Sequence, residues 1–424
     1  MRTLYNAALL PVRAASVVFG AWPRNSPGAT LERDQRLGRR LPVVPPGALW
    51  IHGASVGEAR LVTALAKEIR KRRPAQVVAV SAVTATGRAQ LPAPPSIDAA
   101  FFLPLDFANV QRRAFDSLAP AMLVLVETEL WPNLLHEAHE RGVPVVIVNG
   151  RLAPERSARY RWLAGLYRPL LADIDAVGVA APDELPRFVA LGAPESVLTV
   201  TGNLKFDLPA PVESGSEVRA RLGLAADRPV VAAGSTGEGE DSIVLDAFEA
   251  ARRDVPDLAL VLAPRHPERF DAAADEARRR GFRVVRLSSG SAAGSADVLL
   301  VDTVGQLATL YAAASSAFVG GSLVRVGGHN LLEPLAAGVP VLFGPHTEHV
   351  AEIARTLALE GCGLRVTDAA SLGRRWAFLA THPDERQSLA SVGRTVLATN
   401  RGALQRTADL VLRVWDRASA SRDA

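Results

Sequence analysis

The sequence predicts an α/β protein made of two doubly wound, Rossmann-like domains that face a central cleft. Short apolar runs rich in Val, Leu and Ala alternate with helical stretches along the 424-residue chain. This alternation is typical of parallel sheets with helices on both faces. It is interrupted at residues 208–228, where Pro, Ser and Gly replace the large apolar residues. Because 424 residues are too many for one ordinary domain, we interpret the interruption as an interdomain linker.

The first domain is assigned to residues 46–207. Its apolar runs predict strands at Leu49–Ile51, Val77–Val80, Ala99–Leu103, Met122–Val126, Val145–Val148 and Val177–Ala180. Helices are predicted at Glu58–Lys71, Ala108–Leu118, Leu134–Arg141, Tyr160–Leu171 and Pro182–Leu191.

The second domain is assigned to residues 229–400, and residues 401–424 are predicted to form a helix that packs toward the first domain. Strands are predicted at Val230–Ala233, Leu258–Leu262, Val284–Leu287, Val298–Val301, Ala317–Val319 and Val341–Phe343. Helices are predicted at Asp241–Arg253, Pro267–Arg280, Gln306–Ala314, Glu348–Leu359, Ala370–Ala380, Pro383–Leu397 and Gly402–Arg417.

Residues 1–45 form a separate N-terminal segment. Leu4–Trp22 is largely apolar, and the segment holds seven arginines against two acidic residues. The apolar part is marginal for a spanning helix, which needs about 20 apolar residues. An apolar stretch followed by arginines favours association with the cytoplasmic surface of a membrane. An ordinary helix packed on the protein is the alternative interpretation.

The composition excludes some classes of protein. The chain has a single cysteine, Cys362, and no Cys/His cluster, so neither a disulfide nor a structural zinc site is expected. The sequence has no GxxxxGK[ST] and no GxGxxG motif, which counts against the usual ATPases and dehydrogenases. Arginine and lysine near strand ends, without a metal cluster, indicate transfer from a nucleotide-activated donor.

A glycine-rich stretch, Phe318–His346, reads as strand, glycine loop, short helix and strand. Asn330 is placed to cap a helix over Leu331–Ala337. A glycine loop that leads into a helix presents free backbone N–H groups to an anion. We interpret the stretch as a phosphate and ribose site, with a tight structural turn as the alternative.

Charged residues that could carry chemistry follow several predicted strands. Glu58 lies in the first turn of a helix, where the helix dipole is expected to lower its pKa, and it is either a general base or a helix cap. Glu127 follows a buried strand, together with Glu129. Lys205 lies just before the linker, where it would stabilise charge on a leaving group or would simply be solvated.

Arginines follow two further strands. Arg151, with Arg156, Ser157 and Tyr160 close behind, could bind a carboxylate or phosphate through two parallel hydrogen bonds, or form a surface ion pair with Glu155. Arg265 follows Leu258–Leu262, and a phosphate is expected to bind there. The segment 235–240 has the same strand–loop–helix layout.

Taken together, these segments resemble the Kdo transferases, the 3-deoxy-D-manno-octulosonic-acid transferases of lipopolysaccharide synthesis. The motifs that carry the resemblance run nearly end to end. They are ERDQRLGRR (32–40), HGASVGE (52–58), ETELWPNL (127–134), NGRLAPERSARY (149–160), VTGNLKFD (200–207), PRHPERF (264–270), GGSLVRVGGHNLLEP (320–334), GPHT (344–347) and NRGALQR (400–406).

The resemblance implies a GT-B glycosyltransferase at the cytoplasmic face of the cell inner membrane. The donor would be CMP-Kdo, the acceptor a lipid A precursor (lipid IVA), and the anionic membrane surface a further partner. Glu58 matches the family's catalytic base, and Glu127 and Lys205 match positions that stabilise the transition state. The CMP-contacting positions match Pro264, Arg265, Val304, Gly305, Gln306, Asn330, Leu331, Leu332 and Glu333. One base and one displacement imply inversion, and neither cofactor, metal nor nucleic acid is expected.

Three departures from the family pattern lie in the donor half. Gly237 stands where a histidine is usual, Gln306 where a carboxylate is usual, and Glu348-His349-Val350 where Phe-Asn-Phe is usual. They leave open another CMP-activated keto-sugar acid as the donor. The sequence also leaves open two functions of a different kind, a nucleotide-sugar epimerase of similar fold and a non-catalytic binding module.

Overall fold

The computed structural model describes residues 2–9, 28–93, 95–152, 164–207 and 213–423. The chain divides into two compact units: unit 1 is Met1–Leu208 with Asn400–Ala424, and unit 2 is Pro209–Thr399. Each unit contains a seven-stranded parallel sheet. The predicted pair of parallel-sheet α/β domains is therefore confirmed.

The sheet of unit 1 has the strand order β3-β2-β1-β4-β5-β6-β7. Its strands are continuous apolar runs because helices cover both faces of a parallel sheet. They are β1 Ala48–His52, β2 Val78–Ala82, β3 Ala99–Phe102, β4 Pro120–Val126, β5 Val145–Gly150, β6 Ala176–Val179 and β7 Leu198–Val200.

The sheet of unit 2 has the strand order β10-β11-β9-β8-β12-β13-β14. Its strands are β8 Val230–Thr236, β9 Ala259–Pro264, β10 Val284–Arg286, β11 Val298–Leu300, β12 Ser316–Val319, β13 Val341–Phe343 and β14 Gly363–Arg365. In both sheets the first strand along the chain lies inside the sheet, and a long helix follows it directly.

The α-helices of the described residues connect these strands. In unit 1 they are Arg2–Ala8, Ala29–Arg36, Val56–Arg72, Ala85–Gln90, Ala108–Leu118, Pro132–Glu140, Ala164–Ala172, Leu185–Leu191 and Ala403–Asp423. In unit 2 they are Gly215–Leu222, Glu240–Asp254, Phe270–Arg279, Leu307–Leu310, Leu332–Ala336, Ala351–Leu359 and Ala369–Thr381, and Pro383–Asn400 follows them. Short 3-10 helices lie at Pro182–Glu184, Glu195–Val197, Leu204–Asp207, Pro267–Arg269, Leu287–Ser289, Tyr311–Ala313 and Glu348–Val350.

Each face of the unit 1 sheet is covered by its own hydrophobic cluster. Successive residues of a strand point to opposite faces. Trp50 of β1 therefore packs with Phe101 and Phe115, at ring-centroid distances of 5.6 and 5.7 Å. Its neighbour Ile51 belongs to the cluster that contains Val411 of the C-terminal helix.

The C-terminal helix Ala403–Asp423 is part of unit 1. The Asp207 carboxylate accepts hydrogen bonds from the N–H groups of Gly402 at 2.8 Å and Leu404 at 2.6 Å. A carboxylate at this position satisfies N–H groups that a helix N-terminus leaves free. This contact also fixes the segment that carries Lys205, two residues before Asp207.

Some elements differ from the sequence predictions. The interval 208–228, predicted to be a linker, contains the helix Gly215–Leu222, which begins with a capping box between Ser214 and Glu217 and buries Val218 and Leu222. The S-x-x-E pattern that starts such a helix is present in the sequence and was overlooked. Residues 10–27 of the predicted membrane-associating segment, and Glu155, Arg156, Ser157 and Tyr160, lie outside the described residues. No helix of the described ranges has the length and apolarity needed to cross a membrane.

Candidate active site

Glu58 lies at the carboxyl end of β1, in the first turn of the helix Val56–Arg72. The Ser55 hydroxyl caps this helix by accepting from the Glu58 N–H at 3.4 Å. The Glu58 carboxylate in turn accepts from the Ala54 N–H at 2.6 Å and from the Ser55 hydroxyl at 2.8 Å. Glu58 thus takes part in capping the helix, and it is only 8% exposed. Its role as a general base stays a prediction.

The predicted direction of the Glu58 pKa was wrong. The helix N-terminus was expected to lower it, whereas the pKa is raised to about 7. Burial is the largest cause, because it disfavours the charged carboxylate, and the negative charges of Glu127 and Glu129 add to it. A carboxyl group with such a pKa exchanges protons readily near neutral pH, as a general base must.

Glu127 and Lys205 are brought together as an ion pair. The Lys205 Nζ atom lies 2.9 Å from Glu127 Oε1, and Arg151 Nη1 lies 3.9 Å from the same oxygen. Glu127 follows β4 directly and has a φ of 64°, a left-handed conformation that is uncommon for a residue with a side chain. Strained backbone of this kind costs about 1–3 kcal/mol and clusters at functional sites.

Asn149 positions the segment that carries Lys205, and its role was missed from the sequence. Its side chain is fully buried, and its Oδ1 accepts from the Leu204 N–H at 2.9 Å. Asn203 Oδ1 accepts from the Lys205 N–H at 3.0 Å. Two asparagine side chains thus hold the 3-10 helix Leu204–Asp207 at the end of β5.

His52 and Glu129 form a second contact that sequence reasoning missed. His52 is fully buried, and its Nδ1 lies 2.9 Å from Ser81 Oγ, which accepts from Trp50 Nε1 at 2.8 Å. Its Nε2 makes no hydrogen bond and lies 3.8 Å from Glu129 Oε2. The hydrogen bond with Ser81 therefore holds the imidazole beside one of the two carboxylates that raise the Glu58 pKa.

In unit 2 a buried glutamate organises the glycine-rich loop. Glu240 begins the helix Glu240–Asp254, and its side chain is 0% exposed. Its carboxylate accepts backbone N–H groups of Gly237 at 2.8 Å, Gly321 at 2.6 Å, Ser322 at 3.1 Å and Leu323 at 2.8 Å. The sequence signal was its position just after the first strand of the second domain, like Glu58 in the first.

Of the predicted donor residues, Pro264 is the last residue of strand β9 and Arg265 follows it. Pro264 is buried, whereas the Arg265 side chain is exposed and the Arg265 N–H donates to the Thr236 carbonyl at 3.1 Å. The pKa of His329 is lowered to about 4, first by burial and then by the positive charge of Arg265 and by two further histidines, His349 and His266. His329 is therefore neutral near pH 7 and fits a loop-shaping role.

The predicted residues around Asn330 form the start of a short helix. Asn330 Oδ1 accepts from the Leu332 N–H at 3.1 Å, and its Nδ2 donates to Glu333 Oε1 at 3.2 Å. Leu331 and Leu332 are 0% and 3% exposed. Their side chains belong to the core, so a ligand would meet their backbone rather than their side chains.

The predicted segment Val304–Gln306 is an exposed turn after β11. Val304 is 80% exposed, and Gly305 has a φ of 90°. Gln306 is also exposed and precedes the helix Leu307–Leu310. The turn follows the carboxyl end of β11 just as Arg265 follows that of β9, and ligands of parallel sheets bind at this edge.

The departures at Gly237 and His349 have structural consequences. A Cβ atom at Gly237 would lie 3.0 Å from Val324 Cγ2, so a larger residue requires this valine to move. His349 packs its ring against Gly327, where a Cβ would come within 2.8 Å of His349 Nδ1. Among the described residues, no group of three or more His, Cys, Asp or Glu side chains could hold a metal ion.

Similarity to known sequences points to one family. A family model described as 3-deoxy-D-manno-octulosonic-acid transferase (kdotransferase) matches residues 32–208. The 3-deoxy-D-manno-octulosonic acid transferase of Haemophilus influenzae is 37% identical over 374 residues, which are 87% of each chain. The enzyme of the same name from Bordetella pertussis is 37% identical over 415 residues, 94% of this chain and 93% of the relative.

Similarity to solved structures concerns the fold. A UDP-GlcNAc 2-epimerase from Neisseria meningitidis has a TM-score of 0.60 at 15% identity and covers 87% of this chain and 100% of its own. A glycosyltransferase from Rickettsia africae has a TM-score of 0.58 at 11% identity, and the match covers 88% of this chain and 99% of that glycosyltransferase. These two structures support the two-domain GT-B fold.

Proposed function

Because this chain belongs to the 3-deoxy-D-manno-octulosonic acid transferase family, we propose that it transfers Kdo from CMP-Kdo to a lipid A precursor, lipid IVA. The observation that carries the proposal is the position and chemistry of Glu58. Its buried carboxyl group, with a pKa of about 7, lies in a cluster with the Lys205–Glu127 ion pair. A general base must be poised near the working pH, and this environment achieves that.

In the proposed reaction Glu58 takes the proton of a sugar hydroxyl of the lipid. The hydroxyl oxygen forms a bond to the anomeric carbon of Kdo, while the bond from that carbon to the phosphate oxygen breaks. CMP leaves with the negative charge, which a cationic group such as Lys205 stabilises. A single displacement inverts the configuration at the anomeric carbon.

Unit 2 is proposed to hold the donor. The exposed Arg265 side chain is suited to the phosphate, because a guanidinium pairs with phosphate oxygens through parallel hydrogen bonds. The turn 304–306 and the helix start at Asn330 would contact the rest of CMP. The reaction needs no cofactor in this scheme, since CMP-Kdo is itself the donor substrate.

The acceptor suggests where the protein works. Lipid A precursors are membrane lipids, so we place the protein at the cytoplasmic face of the inner membrane. The basic, partly apolar segment 1–45 of the sequence supports this proposal, since arginines are attracted to anionic lipid headgroups.

A second candidate donor is another CMP-activated keto-sugar acid. The observation that favours it is Gly237 with Val324 packed over it, in place of the histidine usual in the family. This change alters the surroundings of the donor loop and leaves the Glu58 cluster intact.

The test is a transfer assay with purified protein, CMP-Kdo and a tetraacylated lipid A precursor, with products identified by mass spectrometry. A parallel reaction contains CMP-N-acetylneuraminic acid, a nine-carbon donor of the same type. Addition of Kdo to the lipid is the expected result. Transfer from the nine-carbon donor alone would favour the second candidate, and no transfer from either would contradict the proposal.

A further inference from the structure

Unit 2 contains an open cavity of about 430 Å³ beside the glycine-rich loop, here called the 325–349 cavity. Its lining residues are Arg325, Val326, Gly327, His346, Glu348 and His349. We propose that this cavity binds the carboxylate of the donor's sugar, with Arg325 as the main contact and His349 beside it. The inference rests on the proposed function, because it concerns the donor of that reaction.

The wall of the cavity is fixed by backbone contacts. The His349 N–H donates to the Gly327 carbonyl at 2.8 Å, and the His346 N–H donates to the Ser322 carbonyl at 2.9 Å. Gly327 has a φ of 103°, and the His349 ring occupies the space that a Cβ atom would need. Loop and ring are thus held together before any ligand arrives, and a preformed site loses less entropy on binding.

The charges of the cavity are suited to an anion. Arg325 is exposed and has neither a hydrogen bond nor an ion pair with its side chain among the residues that the structure describes. The carboxylate in the lining, Glu348, is 62% exposed, and its Oε1 lies 3.8 Å from His346 Nδ1. An arginine without a counter-ion can offer two parallel hydrogen bonds to a carboxylate.

The cavity adjoins His329, on which the charge of Arg265, the residue proposed to bind the phosphate, also acts. His329 feels the charges of both Arg265 and His349, and these contributions help to lower its pKa to about 4. His349 is part of the cavity lining, whereas Arg265 follows β9. A Cβ atom at Gly321 would lie 2.9 Å from the His329 ring and 3.3 Å from Val326 Cγ1, so His329 lies beside a residue of the cavity lining, and the charge of Arg265 acts on the same imidazole.

The chemistry of the donor requires two anion sites side by side. In a CMP-activated 2-keto sugar acid, the anomeric carbon carries both the phosphate oxygen and the carboxylate. The phosphate and the carboxylate are therefore close neighbours. A nucleotide-activated aldose has the phosphate but no carboxylate at this carbon, and it would leave Arg325 without a partner. Arg265 and Arg325 together supply the two cations that the first type of donor requires.

The test compares ligands with and without the carboxylate. Calorimetry measures the affinity for CMP, and the transfer assay gives the KM for CMP-Kdo. Arg325→Gln should raise the KM for CMP-Kdo roughly tenfold or more, the range expected for one lost charge-assisted hydrogen bond. Its affinity for CMP should stay within about twofold of the wild type, because CMP lacks the sugar acid.

Two further variants sharpen the test. Arg375→Gln removes the same charge from an exposed helix position of unit 2 that does not line the cavity, and its KM should equal that of the wild type. Glu348→Gln removes the negative charge from the lining. It should lower the KM for CMP-Kdo about twofold to threefold, in the opposite direction to Arg325→Gln.

Two results would overturn the inference while the proposed function stands. One is wild-type transfer with an unchanged KM in Arg325→Gln. The other is an equal loss of CMP affinity in that variant, which would place Arg325 at the nucleotide. If the wild type transfers nothing from CMP-Kdo, the proposed function itself has failed, so the two failures are distinguishable.

Discussion

Glu58 and Glu240 occupy corresponding places in the two units. Each lies in the first turn of the long helix that follows the first strand of its sheet, and each is buried. Glu240 accepts four backbone N–H groups, three of them from the glycine-rich loop. Glu58 accepts one backbone N–H and one hydroxyl, and it has two carboxylates for neighbours.

The difference shows how one position serves two purposes. A carboxylate that accepts several backbone N–H groups fixes the loop that donates them, because each of these buried groups then has its hydrogen-bond partner. A buried carboxylate with fewer donors and with negative neighbours holds its proton more tightly. We therefore interpret Glu240 as the residue that shapes the donor loop, and Glu58 as the residue that exchanges protons.

The largest expected effect concerns Glu58 in the reaction. Glu58→Gln keeps the size of the side chain and an oxygen that can accept from the Ala54 N–H, but it cannot take a proton. The transfer rate should fall by about 10²–10⁴-fold, the usual contribution of a general base. CMP affinity by calorimetry should not change. Wild-type turnover in this variant would end the assignment of Glu58 as the base.

The next effect concerns Glu240 and stability. Glu240→Ala leaves four backbone N–H groups without their acceptor in a buried site, and each such group costs about 1–3 kcal/mol. We expect a loss of about 4 kcal/mol or more in the free energy of unfolding, measured by urea titration and circular dichroism. Glu240→Gln, which retains one oxygen, should lose less.

The control for this experiment is Glu238→Ala. Glu238 lies two residues before Glu240 and is exposed, so its loss should change stability by no more than about 0.5 kcal/mol. Equal effects of Glu238→Ala and Glu240→Ala would remove the distinction between the two buried glutamates.

The third effect is a dependence of stability on pH. The folded protein raises the Glu58 pKa from 4.5 to about 7, so between these values the folded state keeps a proton that the unfolded state has lost. Stability must therefore fall as the pH rises through this window. Glu58→Gln has no carboxyl group to ionise at this position. Its free energy of unfolding, relative to that of the wild type, should therefore increase by about 3 kcal/mol between pH 4 and pH 8.

Urea titrations of both proteins at several pH values measure this difference. Glu195→Gln, at an exposed position of unit 1, serves as the control and should follow the wild type at every pH. A difference between Glu58→Gln and the wild type that does not vary with pH would show that Glu58 titrates normally.

Much of the fold could be predicted from the sequence, because strands buried on both faces are continuous apolar runs. The runs around Ile51 and Val124 are examples, and both form inner strands of the sheet. The strands β7 and β14 were missed because each has three residues and lies at a sheet edge, with partly exposed side chains. Such a short strand is stabilised mainly by hydrogen bonds to the neighbouring strand, and its own sequence shows little of the apolar pattern.

Residues of the candidate site could be predicted where their position directly after a strand was enough to identify them. Glu58, Glu127 and Lys205 follow strands of one sheet, and the carboxyl ends of parallel strands share an edge. Glu240 and His52 contact groups about 80 and 30 residues away, so position after a strand could mark Glu240 as a candidate but could not reveal what either residue binds. The Glu58 pKa was misjudged for the same reason, since the helix terminus is visible in the sequence while burial and charged neighbours are not.

The smallest expected effect tests how the neighbours of Glu58 set its pKa. Glu127 and Glu129 both raise it, and the Lys205 ammonium, 2.9 Å from Glu127, offsets one of these charges. Glu129→Gln removes a negative neighbour, so the acid limb of the kcat/KM profile should move to lower pH. Lys205→Met removes the positive charge that offsets Glu127, so the acid limb should move to higher pH. We expect each of these two shifts to be about half a pH unit to one pH unit.

The two variants are expected to shift the acid limb in opposite directions, so together they test whether the charges around Glu58 set its pKa. A general loss of packing would lower kcat/KM at every pH and leave the limb in place. Lys205→Met is also expected to lower the rate above the limb, because Lys205 is proposed to stabilise the leaving group. A rate loss without a shift would mean that Lys205 acts on the substrate alone, whereas shifts of the same sign in both variants would contradict the coupling of Glu58 to Glu127 and Glu129.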